Sequence, residues 1–158
     1  MAWELLSEKF GEGGSSIDSG TITAKKYLHV NIFAVDGTAG NFQIQFNGSS
    51  NADYATRRSY DGGSWTNLGN QTKIISYSAT SSKTSYLVLD IYNDATMQKT
   101  LIGHTIDVGT AGAGTSPNRA EYRGSWNDTS NAITGIQVLT NSGDGFTTEA
   151  YMQVFGTD

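Results

Sequence analysis

The chain has 158 residues, a formal net charge of −5 and no cysteine, which predicts one domain and excludes disulfide cross-links and thiolate metal sites. Only 37% of the residues are hydrophobic and 16% are charged, so turns and a surface of hydroxyl and amide groups are expected instead of an ionic one. Basic residues never run longer than two, as in Lys25-Lys26 and Arg57-Arg58, and a phosphate-binding face for nucleic acid is therefore not expected.

No targeting signal or membrane anchor is visible. Residues 1–6 lack a basic region followed by an apolar run, and no stretch approaches the roughly 20 apolar residues of a membrane span. The six phenylalanines, eight tyrosines and three tryptophans are more than disordered segments carry. We therefore expect a folded, soluble domain over residues 1–158, made in a cytoplasm.

Apolar and polar residues alternate with a period of two through most of the chain, which is the pattern of strands with one buried face. In residues 27–35, for example, Leu28, Val30 and Ile32 share one face. Trp126 falls on the apolar side of its segment and is expected in the core. In chain order, strands are predicted at 27–35, 41–47, 85–92, 101–108, 119–126, 133–139 and 149–155, with weaker candidates at 3–10 and 73–78.

Turns rich in glycine and asparagine separate these segments, and mobile loops are expected at 78–85 and 109–116. No window of eleven or more residues shows an apolar stripe at helical spacing. The pattern predicts an all-β fold, an antiparallel β-sandwich or jelly roll of about eight or nine strands. Residues 1–10 are expected to form an arm or an added strand.

Candidate catalytic groups are sparse, which argues against an enzyme. His29 and His104 both fall in the middle of predicted strands, and neither has an acidic residue or a second histidine at a spacing that implies a site. The glycines at 109–114 do not indicate a dinucleotide site, because the segment that follows is predicted as strand and supplies no helix N-terminus. We assign no catalytic residue, cofactor or metal ligand.

Two turn segments, Asp36-Gly37 and residues 141–145, could offer oxygen ligands to Ca²⁺. The same residue types are the commonest turn formers, and no glutamate stands at a loop-closing position. Turn formation is the favoured interpretation of both segments.

A polar segment with several aromatic residues, 54–65, is the best candidate for a binding surface. Exposed tyrosine and tryptophan beside arginine are typical of protein interfaces and of platforms on which sugars stack. An alternative stays open, in which Tyr54 and Trp65 close one end of the sandwich. The residues concerned are Tyr54, Arg57, Arg58, Tyr60 and Trp65, around the turn at 61–63.

Five segments spread over nearly the whole chain follow one pattern. They are residues 3–6 (WELL), 22–28 (ITAKKYL), 46–63 (from FNG to DGG), 103–121 (from GHT to RAE) and 154–158 (VFGTD). In these segments the chain resembles small structural proteins of tailed bacteriophages, especially marine ones. The resemblance implies a β-sandwich component of the virion.

The expected function is then that of a capsid decoration (cement) protein, which binds the major capsid protein on the outer shell and self-associates, as a trimer. The alternative is a tail-associated or fibre-tip module that recognises host surface glycans. Because charge is sparse, the sheet edges or one face are expected to be covered by another copy or a scaffold protein. Partner contacts are expected from Trp3, Tyr54, Arg57, Arg58, Tyr60 and Trp65.

Overall fold

The computed structural model describes residues 2–35, 41–76, 84–108, 113–114, 116–141 and 145–158, so most of the two predicted mobile loops lies outside the described residues. Within these ranges the chain forms twelve strands and no helix. The strands are β1 (Glu4–Phe10), β2 (Ser16–Asp18), β3 (Tyr27–Val35), β4 (Phe42–Phe46), β5 (Tyr54–Tyr60), β6 (Thr66–Gln71), β7 (Ile74–Ile75), β8 (Thr84–Tyr92), β9 (Lys99–Val108), β10 (Asn118–Trp126), β11 (Ile136–Thr140) and β12 (Tyr151–Thr157).

The strands form two antiparallel sheets, which confirms the predicted all-β sandwich. The large sheet has eight strands in the order β1-β12-β3-β8-β9-β10-β5-β6, and the small sheet has four in the order β2-β11-β4-β7. The predicted number of eight or nine strands is wrong, because β2, β5 and β6 carry no clear alternation. The unequal sheets also differ from the eight-stranded, double Greek-key arrangement of a jelly roll.

The core lies between the small sheet and one face of the large sheet. Phe42, Ile44 and Phe46 of β4 are fully buried, and so are Val30 and Ile32 of β3 across from them. The alternation predicted for residues 27–35 is therefore confirmed, since the even-numbered residues of that strand face the core. Trp126 is also in the core, as expected, with 2% of its surface exposed.

The amino-terminal strand β1 is the outermost strand of the large sheet and pairs antiparallel with β12, with Glu4 opposite Gly156. Residues 4–10 are thus an added strand and not a free arm. Lys25 links the two strands, because its Nζ lies 3.3 Å from a Glu4 carboxylate oxygen and 3.0 Å from an Asp158 one. The hydrogen bonds that Lys25 donates to Asp158 and Glu4 raise the pKa of Lys25.

Two glycines of the large sheet make room for side chains that pack on them. Gly103 of β9 lies directly opposite Tyr122 of β10, and a β-carbon at position 103 would come within 2.4 Å of the tyrosine ring. At Gly124 a β-carbon would come within 2.6 Å of Ile74. The inner face of the sheet therefore admits no side chain at either position.

We expect Gly103→Ala to destabilise the fold by about 1–3 kcal/mol, because the buried Tyr122 ring must leave its position to accept the methyl group. Urea denaturation followed by circular dichroism measures the free energy of unfolding. Gly69→Ala is the matched control, since Gly69 also lies in a strand but has open space around it. Equal stability of the two variants would contradict the role assigned to Gly103.

Candidate binding surface on the open face of the large sheet

The outer face of the large sheet has no second sheet packed on it in the described part of the chain. Antiparallel pairing sets its side chains in rows across the strands, and one row joins Phe155, His29, Asp90, Ile102 and Arg123. We call this surface the open face. It is the widest regular surface that the fold presents.

The open face is rich in exposed apolar side chains. Nine of the ten large hydrophobic residues that are substantially exposed in the described ranges lie on it. Exposed apolar side chains concentrated on one face mark an interaction site in a folded protein. The nine residues are Trp3, Leu5, Phe10, Tyr27, Trp65, Tyr86, Ile102, Ile106 and Val108.

Trp3 stands over the β12–β3 side of the open face with 52% of its surface exposed. Its ring meets the His29 ring edge-on, with 6.0 Å between the centroids. A groove of about 390 Å³ beside it is lined by Trp3, Tyr27, Asp90, Tyr92 and Thr100, among others. The groove thus combines aromatic walls with one carboxylate and the hydroxyl groups of two threonines and two tyrosines.

His29 and Asp90 form a polar pair within this aromatic end of the face. They lie opposite each other on β3 and β8, and His29 Nδ1 is 2.7 Å from an Asp90 carboxylate oxygen. Sequence spacing did not reveal this pair, because cross-strand pairing joins residues that are 61 positions apart in the sequence. His104 lies opposite Val88 and Glu121.

Trp65 stands at the other end of the open face, between two arginines. The guanidinium carbon of Arg57 lies 5.5 Å from the centroid of the Trp65 ring, and that of Arg123 lies 5.4 Å from it. Both are cation–π contacts. Arg57 and Arg123 are themselves paired directly across β5 and β10.

A two-residue turn after β5 sets the position of the end of the open face that carries Trp65. Asp61 and Gly62 have positive φ angles of 47° and 75°, and the Gly63 amide donates to the Tyr60 carbonyl at 2.8 Å. The Arg119 amide donates to the Asp61 side chain at 2.8 Å. The polar segment 54–65 therefore forms β5 and the turn of the β5–β6 hairpin, whose tip is hydrogen-bonded to β10.

Tyr54 belongs to the core, so its predicted role as a partner contact is wrong. It is 1% exposed, its ring stacks on Trp126 at 6.0 Å, and its hydroxyl accepts a hydrogen bond from the Phe46 amide at 3.0 Å. Burial raises the pKa of Tyr54 to about 12. The sequence left open whether Tyr54 and Trp65 contact a partner or close one end of the sandwich. Tyr54 is buried, whereas Trp65 is 37% exposed.

Arg58 and Tyr60 face away from the open face. Arg58 lies opposite the buried Tyr122 and donates to the Ser76 carbonyl at 2.8 Å, toward the small sheet. Tyr60 is half-buried opposite Ala120. Of the six predicted contact residues, the open face brings together only Arg57 and Trp65, while Trp3 lies at its far end.

Lys99 is a buried cation at the end of the sandwich beside Trp126. It is 1% exposed, its Nζ lies 5.6 Å from the Trp126 ring centroid, and it donates to the Asp128 carbonyl. Burial lowers the pKa of Lys99. The ammonium group of Lys99 is thus hydrogen-bonded to backbone carbonyls at the end of the core.

No group of acidic residues and histidines suited to a metal ion occurs in the ranges that the structure describes. Of the two turn segments weighed as calcium ligands, Asp36-Gly37 and residues 142–144 lie outside those ranges. Gly145 has a φ of 71°, as the turn interpretation expects. No apolar helix long enough to cross a membrane is found among the described residues either.

Most of the open face was missed from the sequence, although a signal for it existed. In β9 the inward Leu101 is followed by the outward Ile102, and the outward Ile106 continues the same row of apolar residues. The other inward residues of β9 include Thr105 and Asp107, so the outward face of this strand is the more apolar one. This row of apolar residues on one face could have indicated a contact surface.

Comparison with known proteins adds no family to this description. No protein-family model matches the chain, and no match to a curated protein was found.

We expect the free energy of unfolding to fall less steeply above pH 10 in the Tyr54→Phe variant than in the parent protein. A tyrosine with a raised pKa favours the folded state fully below pH 10, and that contribution is lost as the pH rises from 10 to about 12. The lost contribution is about 2–3 kcal/mol for Tyr54. Urea denaturation at pH 9, 10, 11 and 12 gives the slope, and parallel slopes for parent and variant would refute the assignment.

Proposed function

We propose that the protein is a capsid decoration protein of a tailed bacteriophage, which attaches to the major capsid protein through the open face. The observation that carries the proposal is the open face itself, an uncovered sheet surface with nine exposed large hydrophobic residues. The resemblance of five sequence segments to small phage structural proteins gives the partner. In this proposal the protein acts by binding.

The size of the open face suits a protein partner. Eight strands about 4.8 Å apart give a width of roughly 35 Å, and strands of six to ten residues are roughly 25 Å long on average. A surface of this size matches the roughly 800 Å² that each partner buries in a standard protein interface. A small-molecule ligand would cover only a fraction of it.

Binding through this face would stabilise the shell by mass action. A partner that binds only the assembled capsid lowers the free energy of that state by RT ln(1 + [L]/Kd), where [L] is its free concentration. Self-association as a trimer is part of the proposal, because three copies around a local three-fold axis would each reach neighbouring capsid subunits. Many copies per virion are required for this effect.

A tail-associated glycan-binding module is the second candidate, and the groove beside Trp3 favours it. Tyr27 and Tyr92 supply aromatic walls there, and Asp90 and Thr100 supply a carboxylate and a hydroxyl group. Aromatic rings beside such groups are typical of sugar-binding sites. The groove occupies one end of the open face.

Copy number per virion distinguishes the two functions. Quantitative mass spectrometry of purified virions, with the major capsid protein as the internal standard, measures it. We expect hundreds of copies for a decoration protein. A handful of copies would place the protein at the tail and support glycan recognition.

We expect Trp65→Ala to weaken attachment to capsids about tenfold or more, because exposed tryptophans are frequent hot spots of interfaces. Sedimentation of purified capsids with the added protein measures attachment. Met97→Ala is the control, since Met97 is 53% exposed but lies outside the open face. Circular dichroism must show that both variants stay folded. A folded Trp65→Ala variant that attaches as tightly as the parent would contradict the contact role of Trp65.

A further inference from the structure

We propose that Arg57, Trp65 and Arg123 form a carboxylate-binding site that takes an acidic, extended polypeptide segment of the binding partner. This inference rests on the proposed function, because it names the chemistry of the partner surface. It goes further, because it assigns the contact to one site on the open face and predicts that the partner segment is negatively charged and extended.

The two arginines of this site have no acidic partner in the described part of the chain. Arg119 pairs with Glu121 at 3.4 Å, and Arg58 donates to the Ser76 carbonyl. Arg57 and Arg123 make cation–π contacts to Trp65 but have no carboxylate within salt-bridge distance. In an acidic chain with a net charge of −5, this arrangement leaves two guanidinium groups available to an external anion.

The cross-strand register holds these two charges together at some cost. Arg57 and Arg123 lie directly opposite each other, and like charges in that position repel. The Trp65 ring contacts both guanidinium groups and offsets part of the repulsion. A bound carboxylate would remove the rest, because it can accept hydrogen bonds from both guanidinium groups.

A shallow trough of about 380 Å³ gives a ligand access to the arginines. Its lining includes Ala55, Asn67 and Ser125 beside Arg57 and Arg123. Asn67 and Ser125 offer further amide and hydroxyl groups for hydrogen bonds. Most of the trough lining is apolar, and the two cations reach it from neighbouring strands.

The neighbouring edge strand points to a polypeptide ligand. β6 ends the large sheet, and its sequence TNLGNQ has neither a charged residue nor a proline to block pairing with another strand. The opposite edge, β1, carries three charged residues. An extended segment that pairs with β6 would lie about 10 Å, or two strand spacings, from β5. A glutamate and an arginine side chain together span that distance.

A sugar fits this site less well. Stacking of a sugar needs an open aromatic face, whereas the Trp65 ring is engaged by two guanidinium groups. The carboxylate is therefore better supplied by an acidic peptide than by a uronic acid ring.

The test is a titration of the full ¹⁵N-labelled chain with the acetylated and amidated hexapeptide Thr-Glu-Thr-Glu-Thr-Glu, followed by NMR. We expect a Kd on the order of 1 mM or tighter, with shifts in the Trp65 indole signal and in the β6 amides. The double variant Arg57→Gln/Arg123→Gln should bind at least about tenfold more weakly. Arg119→Gln is the matched control, because its parent residue already has a carboxylate partner, and it should change Kd less than about twofold.

Three results would overturn the proposal: no binding of the peptide to the parent chain, equal binding by the double variant, or equal binding of the glutamine analogue of the peptide. Tighter binding of trigalacturonate than of the peptide would indicate a saccharide ligand and would also overturn the proposal. The titration contains no capsids. A failed titration would therefore reject the carboxylate-binding site without testing the decoration function, which depends on the copy number. A low copy number would reject the decoration function without testing the site.

Discussion

The packing of the small sheet against one face of the large sheet is the interaction on which the rest of the structure depends. Phe42, Ile44 and Phe46 of β4 are fully buried there, and Phe46 contacts both Tyr54 and Trp126 at centroid distances of 6.1 and 5.7 Å. Because the described residues build one small sheet, they cover a single face of the large sheet. The open face is a direct result of that inequality.

The register of the large sheet divides the open face into two chemically different ends. Aromatic residues gather near β1, β12 and β3, where Trp3 meets His29. Arginines and Trp65 gather near β5 and β10. His29, Arg57 and Arg123 stand on paired strands, and Trp3 and Trp65 immediately precede β1 and β6. Little backbone entropy is therefore lost when a partner binds the strand residues. A flat partner could contact the two ends at once.

The sequence predicted the fold class and the central strands well, because their side chains alternate strictly. The bounds predicted for β3 are those observed, and Trp126 lies in the core as expected. β5 and β6 were missed because polar residues occupy both of their faces: Arg58 points toward the small sheet, while Arg57 points outward.

The candidate site was harder to predict, because burial in this hairpin depends on long-range pairing. Tyr54 and Trp65 have similar chemistry and lie in the same short segment. Tyr54 lies opposite Trp126 on β10 and is buried, whereas Trp65 precedes the edge strand β6 and stays exposed. Arg123 was not predicted at all, since only the register shows that it faces Arg57.

The position of β12 has a consequence for how the chain folds. β12 follows all the other strands in sequence, yet it lies between β1 and β3, with Phe155 paired to both Leu5 and His29. During synthesis β3 must therefore wait with one edge unpaired until β12 has left the ribosome. Pairings this distant in sequence slow folding. We expect the large sheet to close late, and a nascent chain held before residue 151 to depend on chaperones that shield the edge of β3.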